Sequence, residues 1–144
     1  MSAKANNNSD ADLFANGIYE WAKKIRSGSL SFLQTTEACL RSVRSNPQLN
    51  AFEFINEQPP LATAAYMDEC LAQGIDLGPL MGLPVGIKDI MAVEGMPTGF
   101  GSNADMTDLA LREGTVVKTL KASGAVILGK TKTVEFALGA TGVN

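Results

Sequence analysis

Apolar residues recur at helical intervals in the first part of the chain. The first stripe consists of Phe14, Ile18, Trp21 and Ile25. Intervals of four, three and four residues place these side chains on one face of a helix. The Ser9–Asp12 pattern predicts the start of this helix, and Gly28 predicts its end. We therefore interpret Trp21 as a core residue that packs against the next helix, and not as a platform for a ligand.

A second helix and a short strand follow. Ser31 and Gln34 have the spacing of a capping box, in which each side chain bonds the backbone of the other residue. The apolar stripe of this helix consists of Leu33, Leu40 and Val43. The helix is expected to end near Pro47, and residues 51–55 alternate sufficiently to predict a short strand.

A third helix is predicted to begin at Pro59 and Pro60, because proline suits the first helical turn. Gly74 predicts its end. The residues expected to face inward are Leu61, Ala64, Ala65, Leu71 and Ala72.

The pattern changes after residue 78, where most of the 14 glycines lie and strands alternate with helices. Buried strands are predicted at residues 84–90 and 125–128, and helices at 115–123 and 133–138, with Gly124 capping the first of these helices. The predicted fold class is therefore α/β, with an N-terminal helical layer followed by a sheet core.

Composition excludes several kinds of site. The 144 residues contain no histidine, so a Ser-His-Asp triad or a histidine-ligated metal cannot be built from them alone. Cys39 and Cys70 are the only cysteines, and they form neither a CxxC motif nor a disulfide framework. No metal and no cofactor are therefore expected.

Charge and hydropathy bear on partners and location. The formal charge is −3 and the basic residues are dispersed, which gives no footprint for nucleic acid. The start of the chain is polar and has no apolar segment typical of a signal peptide, and the longest apolar runs are too short to span a membrane. We expect a soluble, cytoplasmic protein without nucleic-acid or membrane partners.

Residues 124–131, GAVILGKT, match the phosphate-binding pattern GxxxxGK[ST]. In a true phosphate-binding loop the intervening residues leave their N–H groups free. Here those residues are Ala, Val, Ile and Leu, which is strand composition. We therefore disfavour nucleotide binding and interpret Gly124 as a helix cap.

Lys88 lies within an apolar segment that is predicted to be a strand. Alternation places Val85 and Ile87 on one face, with Gly86 and Lys88 on the other. One interpretation is a lysine at a strand end that pairs with Asp89 or reaches solvent. The other is a desolvated lysine with a lowered pKa, which acts as a neutral base, with Gly86 leaving room beside it.

Two segments in the second half of the chain are long enough to be compared with the blocks of known families. Residues 78–89 read GPLMGLPVGIKD and are followed by GMPT at 95–98 and by Gly101-Ser102. Residues 116–131 read VVKTLKASGAVILGKT and are followed by Glu135-Phe136-Ala137. In this order the two segments resemble successive blocks of the amidase signature family. The resemblance covers residues 78–144 and implies a mixed sheet flanked by helices.

The resemblance also implies an activity. Members of this family hydrolyse or transfer carboxamide groups with a Ser-cis-Ser-Lys triad, and Lys88 stands at the position of the catalytic lysine. It would accept the proton of the nucleophilic serine through the cis-serine. The resemblance places Phe136, more weakly, near the substrate, whereas Glu135 is interpreted as packing onto the sheet. The expected partner is a small-molecule amide.

Both serines of the triad belong to a segment that the resemblance places after residue 144. Ser102 and Ser123 are interpreted as structural hydroxyls and not as substitutes. We therefore expect residues 1–9 to be a disordered tail and residues 10–144 to be the N-terminal part of a single amidase-signature domain, inactive alone.

Three alternatives stay open at this point. The chain could be a truncated, non-catalytic module that pairs its open sheet edges with itself, as a homo-oligomer, or with a complementing C-terminal portion. It could correspond to the amide-cleaving component of a tRNA-dependent amidotransferase, which needs partner subunits. Nucleotide binding at residues 124–131 is the third.

Overall fold

A computed structural model of the protein describes residues 17–106, 109 and 111–140. The helices are α1 (Gly17–Arg26), α2 (Phe32–Ser45), α3 (Gln58–Ala72) and α4 (Thr115–Ala122), with 3₁₀ turns at Pro47–Leu49 and Glu135–Ala137. The strands are β1 (Phe52–Ile55), β2 (Pro84–Lys88) and β3 (Val126–Thr131). The predicted tail at residues 1–9, the Ser9–Asp12 cap and Phe14 lie outside the described residues.

Trp21, Ile25 and Leu40 of the two predicted stripes are buried where α1 and α2 pack, together with Ala38, which neither stripe contained. Trp21 is buried and packs with Ala38 of α2, as predicted, while Ile25 joins the main core. Ile18 is exposed, so the first stripe is narrower than expected. The capping box of Ser31 and Gln34 is present, with both reciprocal hydrogen bonds at 3.0 Å.

Helix α3 packs Leu61, Ala64 and Leu71 against the core as predicted, together with residues that were not predicted. Ala64 is buried as expected, but Met67 and Cys70 are buried as well, and Ala72 is exposed. The prediction of Ala72 as an inward residue was wrong, because α3 presents to the core the row that continues from Ala64 through Met67 to Cys70 at i, i+3 spacing.

The sheet has the strand order β1-β3-β2, with β3 in the centre. Strand β1 is antiparallel to β3, and β2 is parallel to β3, so the sheet is mixed as the resemblance implied. Val85 pairs with Ile127 and Gly86 with Gly129, so Leu128 is an extra residue in the central strand. Such a bulge reverses the faces on which the following side chains lie.

Helices cover both faces of the sheet. On one face, Val126 and Leu128 pack with residues of α2 and α3, including Phe32 and Met67. On the other, Ile87 and Ile127 pack with Val117 of α4. This is the predicted α/β architecture, with the N-terminal helices forming one of the two helical layers. Among the described residues, no helix is long and apolar enough to cross a bilayer.

Three predicted boundaries need correction. The strand predicted at residues 84–90 ends at Lys88, where the chain turns, and the strand predicted at 125–128 extends to Thr131. The helix predicted at residues 133–138 is only a 3₁₀ turn, because Phe136 and Ala137 both have positive φ angles, 49° and 58°. A right-handed helix cannot propagate through residues in that conformation.

Candidate active site

Strands β2 and β3 are parallel, so the segments that follow Lys88 and Thr131 leave the sheet at the same edge. Ligands of parallel sheets bind at the carboxyl ends of the strands, and this edge carries Lys88. Lys88 pairs in register with Thr131 and has an exposed side chain. Within the described chain it therefore reaches solvent, as the first of the two interpretations allowed, and a desolvated Lys88 in the active enzyme stays a prediction.

Lys88 does not pair with Asp89, although the sequence allowed that pairing. Alternation places Lys88 on the face opposite Ile87, together with Gly86 and Thr131. A Cβ atom on Gly86 would lie 2.6 Å from Thr131 Cγ2 and 3.4 Å from Phe52 Cε1. The space that Gly86 was expected to leave beside the lysine is therefore occupied in part by the methyl group of Thr131.

Asp89 pairs instead with Lys130, which is completely buried. Lys130 Nζ donates to Asp89 Oδ1 at 2.8 Å, to Thr98 Oγ1 at 2.7 Å and to the Pro97 carbonyl oxygen at 3.0 Å. The other carboxylate oxygen of Asp89 accepts from the Gly99 N–H at 3.0 Å. All three donors of the ammonium are used, so burial of this charge is compensated.

Sequence reasoning missed this pair. The sequence singled out Lys130 only as part of a phosphate-binding pattern that was disfavoured, and strict alternation from Val126 would place the lysine on the face of Val126 and Leu128. The bulge at Leu128 moves Lys130 to the face of Ile87, with which it pairs in register. The glycine at 129 was the available signal, since a glycine within a strand often marks a bulge or a close backbone approach.

The loop after β2 and the turn after β3 are joined to each other. The Phe136 N–H donates to the Phe100 carbonyl oxygen at 2.8 Å, and the two rings stack with centroids 5.9 Å apart. Ser102 Oγ donates to Glu135 Oε1 at 2.7 Å. The structure thus gives Ser102 a structural partner, and Glu135 bonds a loop hydroxyl instead of packing onto the sheet as interpreted.

The phosphate-binding pattern is not a phosphate-binding loop. Gly124 has a φ of +80° and follows the C-cap residue Ser123, as expected for a glycine that ends a helix. Residues Val126–Thr131 form the central strand, whose N–H groups are committed to pairing on both sides. A Cβ on Gly129 would lie 2.2 Å from the Phe54 carbonyl oxygen, so this glycine permits the close approach of β1.

An open groove of about 690 Å³ lies along the loop that follows β2. Its lining includes Pro97, Thr98 and Gly99 of that loop and Lys118 of α4, but neither Lys88 nor Phe136. No cluster of three or more histidine, cysteine or acidic side chains suited to a metal occurs within the described ranges.

Comparison with known proteins identifies the family. The profile of the amidase family matches residues 34–144. A 2-amino-5-chloromuconic acid deaminase from Comamonas testosteroni is 38% identical over 128 residues, which are 88% of this chain and 28% of the deaminase. A glutamyl-tRNA(Gln) amidotransferase subunit from Streptomyces coelicolor is 41% identical over 126 residues, 87% of this chain and 25% of the relative.

Solved structures agree in fold. A crystal structure of an amidase superimposes with a TM-score of 0.81 at 33% identity, covering 88% of this chain and 29% of the amidase. The native peptide amidase from Stenotrophomonas maltophilia gives 0.77 at 28% identity, covering 86% and 26%. The chain therefore spans little more than a quarter of the length of these relatives. Since the family profile matches most of the chain and both relatives and structures agree, this chain belongs to the amidase family, the amidase signature enzymes.

Proposed function

We propose that this chain supplies the lysine base of an amidase that cleaves the C–N bond of a small-molecule carboxamide. The observation that carries the proposal is the position of Lys88. It ends a strand at the carboxyl edge of the parallel pair, and its exposed side chain lies on the face opposite the buried Asp89–Lys130 pair. An amine there is free to meet a nucleophile.

The proposed amide cleavage requires Lys88 to be an unprotonated amine. A neutral Lys88 accepts the proton of a serine hydroxyl, relayed by a second serine, while the hydroxyl oxygen attacks the amide carbon. The proton then returns to the leaving nitrogen, which departs as ammonia or an amine, and water releases the acyl group.

The two serines and the oxyanion donors are expected from the segment that the resemblance places beyond residue 144. Under this proposal the 144 residues alone do not turn over substrate, since a base without its nucleophile retains little of the rate. Phe136 is proposed to contact substrate, because the residue is 46% exposed at the same edge of the sheet.

A transfer reaction is the second candidate, favoured by the likeness to a component of glutamyl-tRNA(Gln) amidotransferase. It would use the same base and nucleophile, with ammonia passed to another acceptor instead of being released. Partner subunits would then be needed.

The test uses the natural protein, purified from its source. Its intact mass is compared with 15.2 kDa, and release of ammonia from simple carboxamides and glutamine is measured. We expect a larger mass, measurable turnover and loss of turnover in Lys88→Met with the fold retained. The matched control is Lys132→Met, in which a neighbouring exposed lysine that pairs with Glu53 is replaced. Normal turnover in Lys88→Met would overturn the proposal. A 15.2 kDa product is expected to be inactive alone and to gain turnover when it is mixed with a separate serine-bearing chain, and failure to gain turnover on mixing would also overturn the proposal.

A further inference from the structure

Asp89 and Lys130 form a buried pair next to the proposed base. Asp89 follows Lys88 in the chain, and Lys130 precedes Thr131, the residue that pairs with Lys88. The exposed fraction is 1% for Asp89 and 0% for Lys130. Asp89 is also held through its backbone: its N–H donates to the Thr131 carbonyl oxygen at 3.0 Å, and its carbonyl oxygen accepts from the Phe100 N–H at 3.0 Å. Main chain and side chain of Asp89 are therefore both fixed, on one side by β3 and on the other by the loop.

Stability alone is a weak explanation for such a pair. Moving two charges out of water costs about as much as their attraction returns, and apolar residues of similar volume often replace buried pairs without loss. What the charges provide here is a fixed position of one segment relative to the other. One ammonium bonds three acceptors on two segments, Asp89 at the end of β2 and the loop residues Pro97 and Thr98.

We propose that Asp89 and Lys130 form a positioning pair for the amide-cleaving reaction. The pair fixes the backbone turn at which Lys88 leaves β2 and holds residues 97–100 against the edge of the sheet. Neither side chain is a catalytic residue, because both lie on the face opposite Lys88. The inference rests on the proposed function, in which Lys88 is the base.

The bulge at Leu128 places both Lys130 and Thr131 on the faces of the sheet where they are needed. The bulge at Leu128 turns Lys130 toward Asp89 and brings Thr131 to the face of Lys88. Consecutive residues of the central strand therefore act on opposite sides: Lys130 fixes the loop, and Thr131 packs beside the base-bearing strand.

The test separates positioning from charge compensation in the natural enzyme. Asp89→Asn and Lys130→Met each leave one buried charge without its partner, and both singles are expected to lose thermal stability. The double variant Asp89→Asn/Lys130→Met leaves no buried charge at this place and keeps nearly the original shapes. The control is Lys132→Met, which breaks an exposed pair at the same strand end. Melting temperature, kcat and KM are measured for each variant.

The double variant is expected to recover most of the melting temperature but not the rate. Its kcat should remain about 100-fold low, as expected for a displacement of about 1 Å of a reacting group, with a smaller change in KM. Amide hydrogen exchange at Gly99 and Phe100 should accelerate, while exchange at Val126, which bonds the Leu83 carbonyl oxygen, should not.

Two results would overturn the inference. Recovery of kcat together with the melting temperature would show that the pair only compensates its own charges. Unchanged exchange at Gly99 and Phe100 would show that it does not hold the loop, and this measurement needs no turnover. Failure of the proposed function is distinct, because it appears as normal turnover in Lys88→Met.

Discussion

Phe136 and Phe100 are joined by a backbone hydrogen bond of 2.8 Å and by rings that stack at an interplanar angle of 27°. Both residues have positive φ angles, 49° and 57°, which non-glycine residues rarely adopt. Two strained positions therefore face each other where the loop after β2 meets the turn after β3. Contacts between the loops compensate the cost of this backbone conformation.

The stacked pair should contribute measurably to stability. We expect a coupling free energy of about 0.5–1.5 kcal/mol in a double-mutant cycle with Phe100→Leu and Phe136→Leu, the range for stacked aromatic pairs. Chemical denaturation of the two single variants and the double variant measures it. Leu138→Ala serves as the control, because that side chain is 85% exposed and should change stability little. Strictly additive effects of the two phenylalanine substitutions would contradict the coupling.

A second prediction concerns the face of the sheet that carries Lys88. Gly86→Ala should destabilise the protein by about 1–3 kcal/mol, because its Cβ would lie 2.6 Å from Thr131 Cγ2. Thr131→Ser removes that methyl group, and the remaining contact, 3.4 Å to Phe52 Cε1, is nearly ordinary. Urea unfolding should therefore show a smaller loss for Gly86→Ala in the Thr131→Ser background. An equal loss in both backgrounds would place the cause elsewhere in the strand.

A third prediction is a pH dependence at the link between α1 and the segment before β2. Arg26 donates to both carboxylate oxygens of Asp76, at 2.8 and 2.9 Å. Its guanidinium, and next the Gly78 N–H, hold the pKa of Asp76 below its ordinary value of 3.8. A carboxyl whose pKa is lowered by folding stabilises the native state above that ordinary value, and the contribution is lost as the pH falls through the lowered pKa.

Asp76→Asn should therefore reduce the free energy of unfolding at neutral pH, and the difference from the wild type should narrow below pH 3.8. The effect is modest because both side chains are about one-third exposed. Equilibrium unfolding at several pH values measures it, with Arg26→Gln as the matched variant, in whose background Asp76→Asn should add little. A difference that stays constant down to low pH would exclude this ion pair as its cause.

How far the sequence predicts this fold depends on whether local pattern or distant contact decides the structure. The capping box of Ser31 and Gln34 depends on four consecutive residues, and the structure has it as predicted. The turn at residues 135–137 was predicted as a helix from composition. It is shaped instead by the hydrogen bond to Phe100, 36 positions earlier, which no local pattern contains.

In the candidate site, too, local pattern identifies one residue and distant contacts decide the position of another. Lys88 could be singled out because a charged residue within an apolar strand is unusual, and strict alternation gave its face correctly. The face of Lys130 could not be found by alternation, because the bulge at Leu128 interrupts the period of two. Its partner Asp89 lies 41 positions away and became identifiable only when β2 and β3 were paired.

The last prediction is that ATP does not bind at residues 124–131, despite their match to a phosphate-binding pattern. A phosphate site needs free N–H groups and a lysine that reaches the phosphates. Here the N–H groups lie in the central strand, and Lys130 Nζ donates its three hydrogen bonds to Asp89, Thr98 and Pro97. Calorimetric titration with magnesium ATP should give no binding heat, with or without Lys130→Met. Saturable binding that is lost in Lys130→Met would mean that the strand opens to release its lysine, against the buried geometry of the pair.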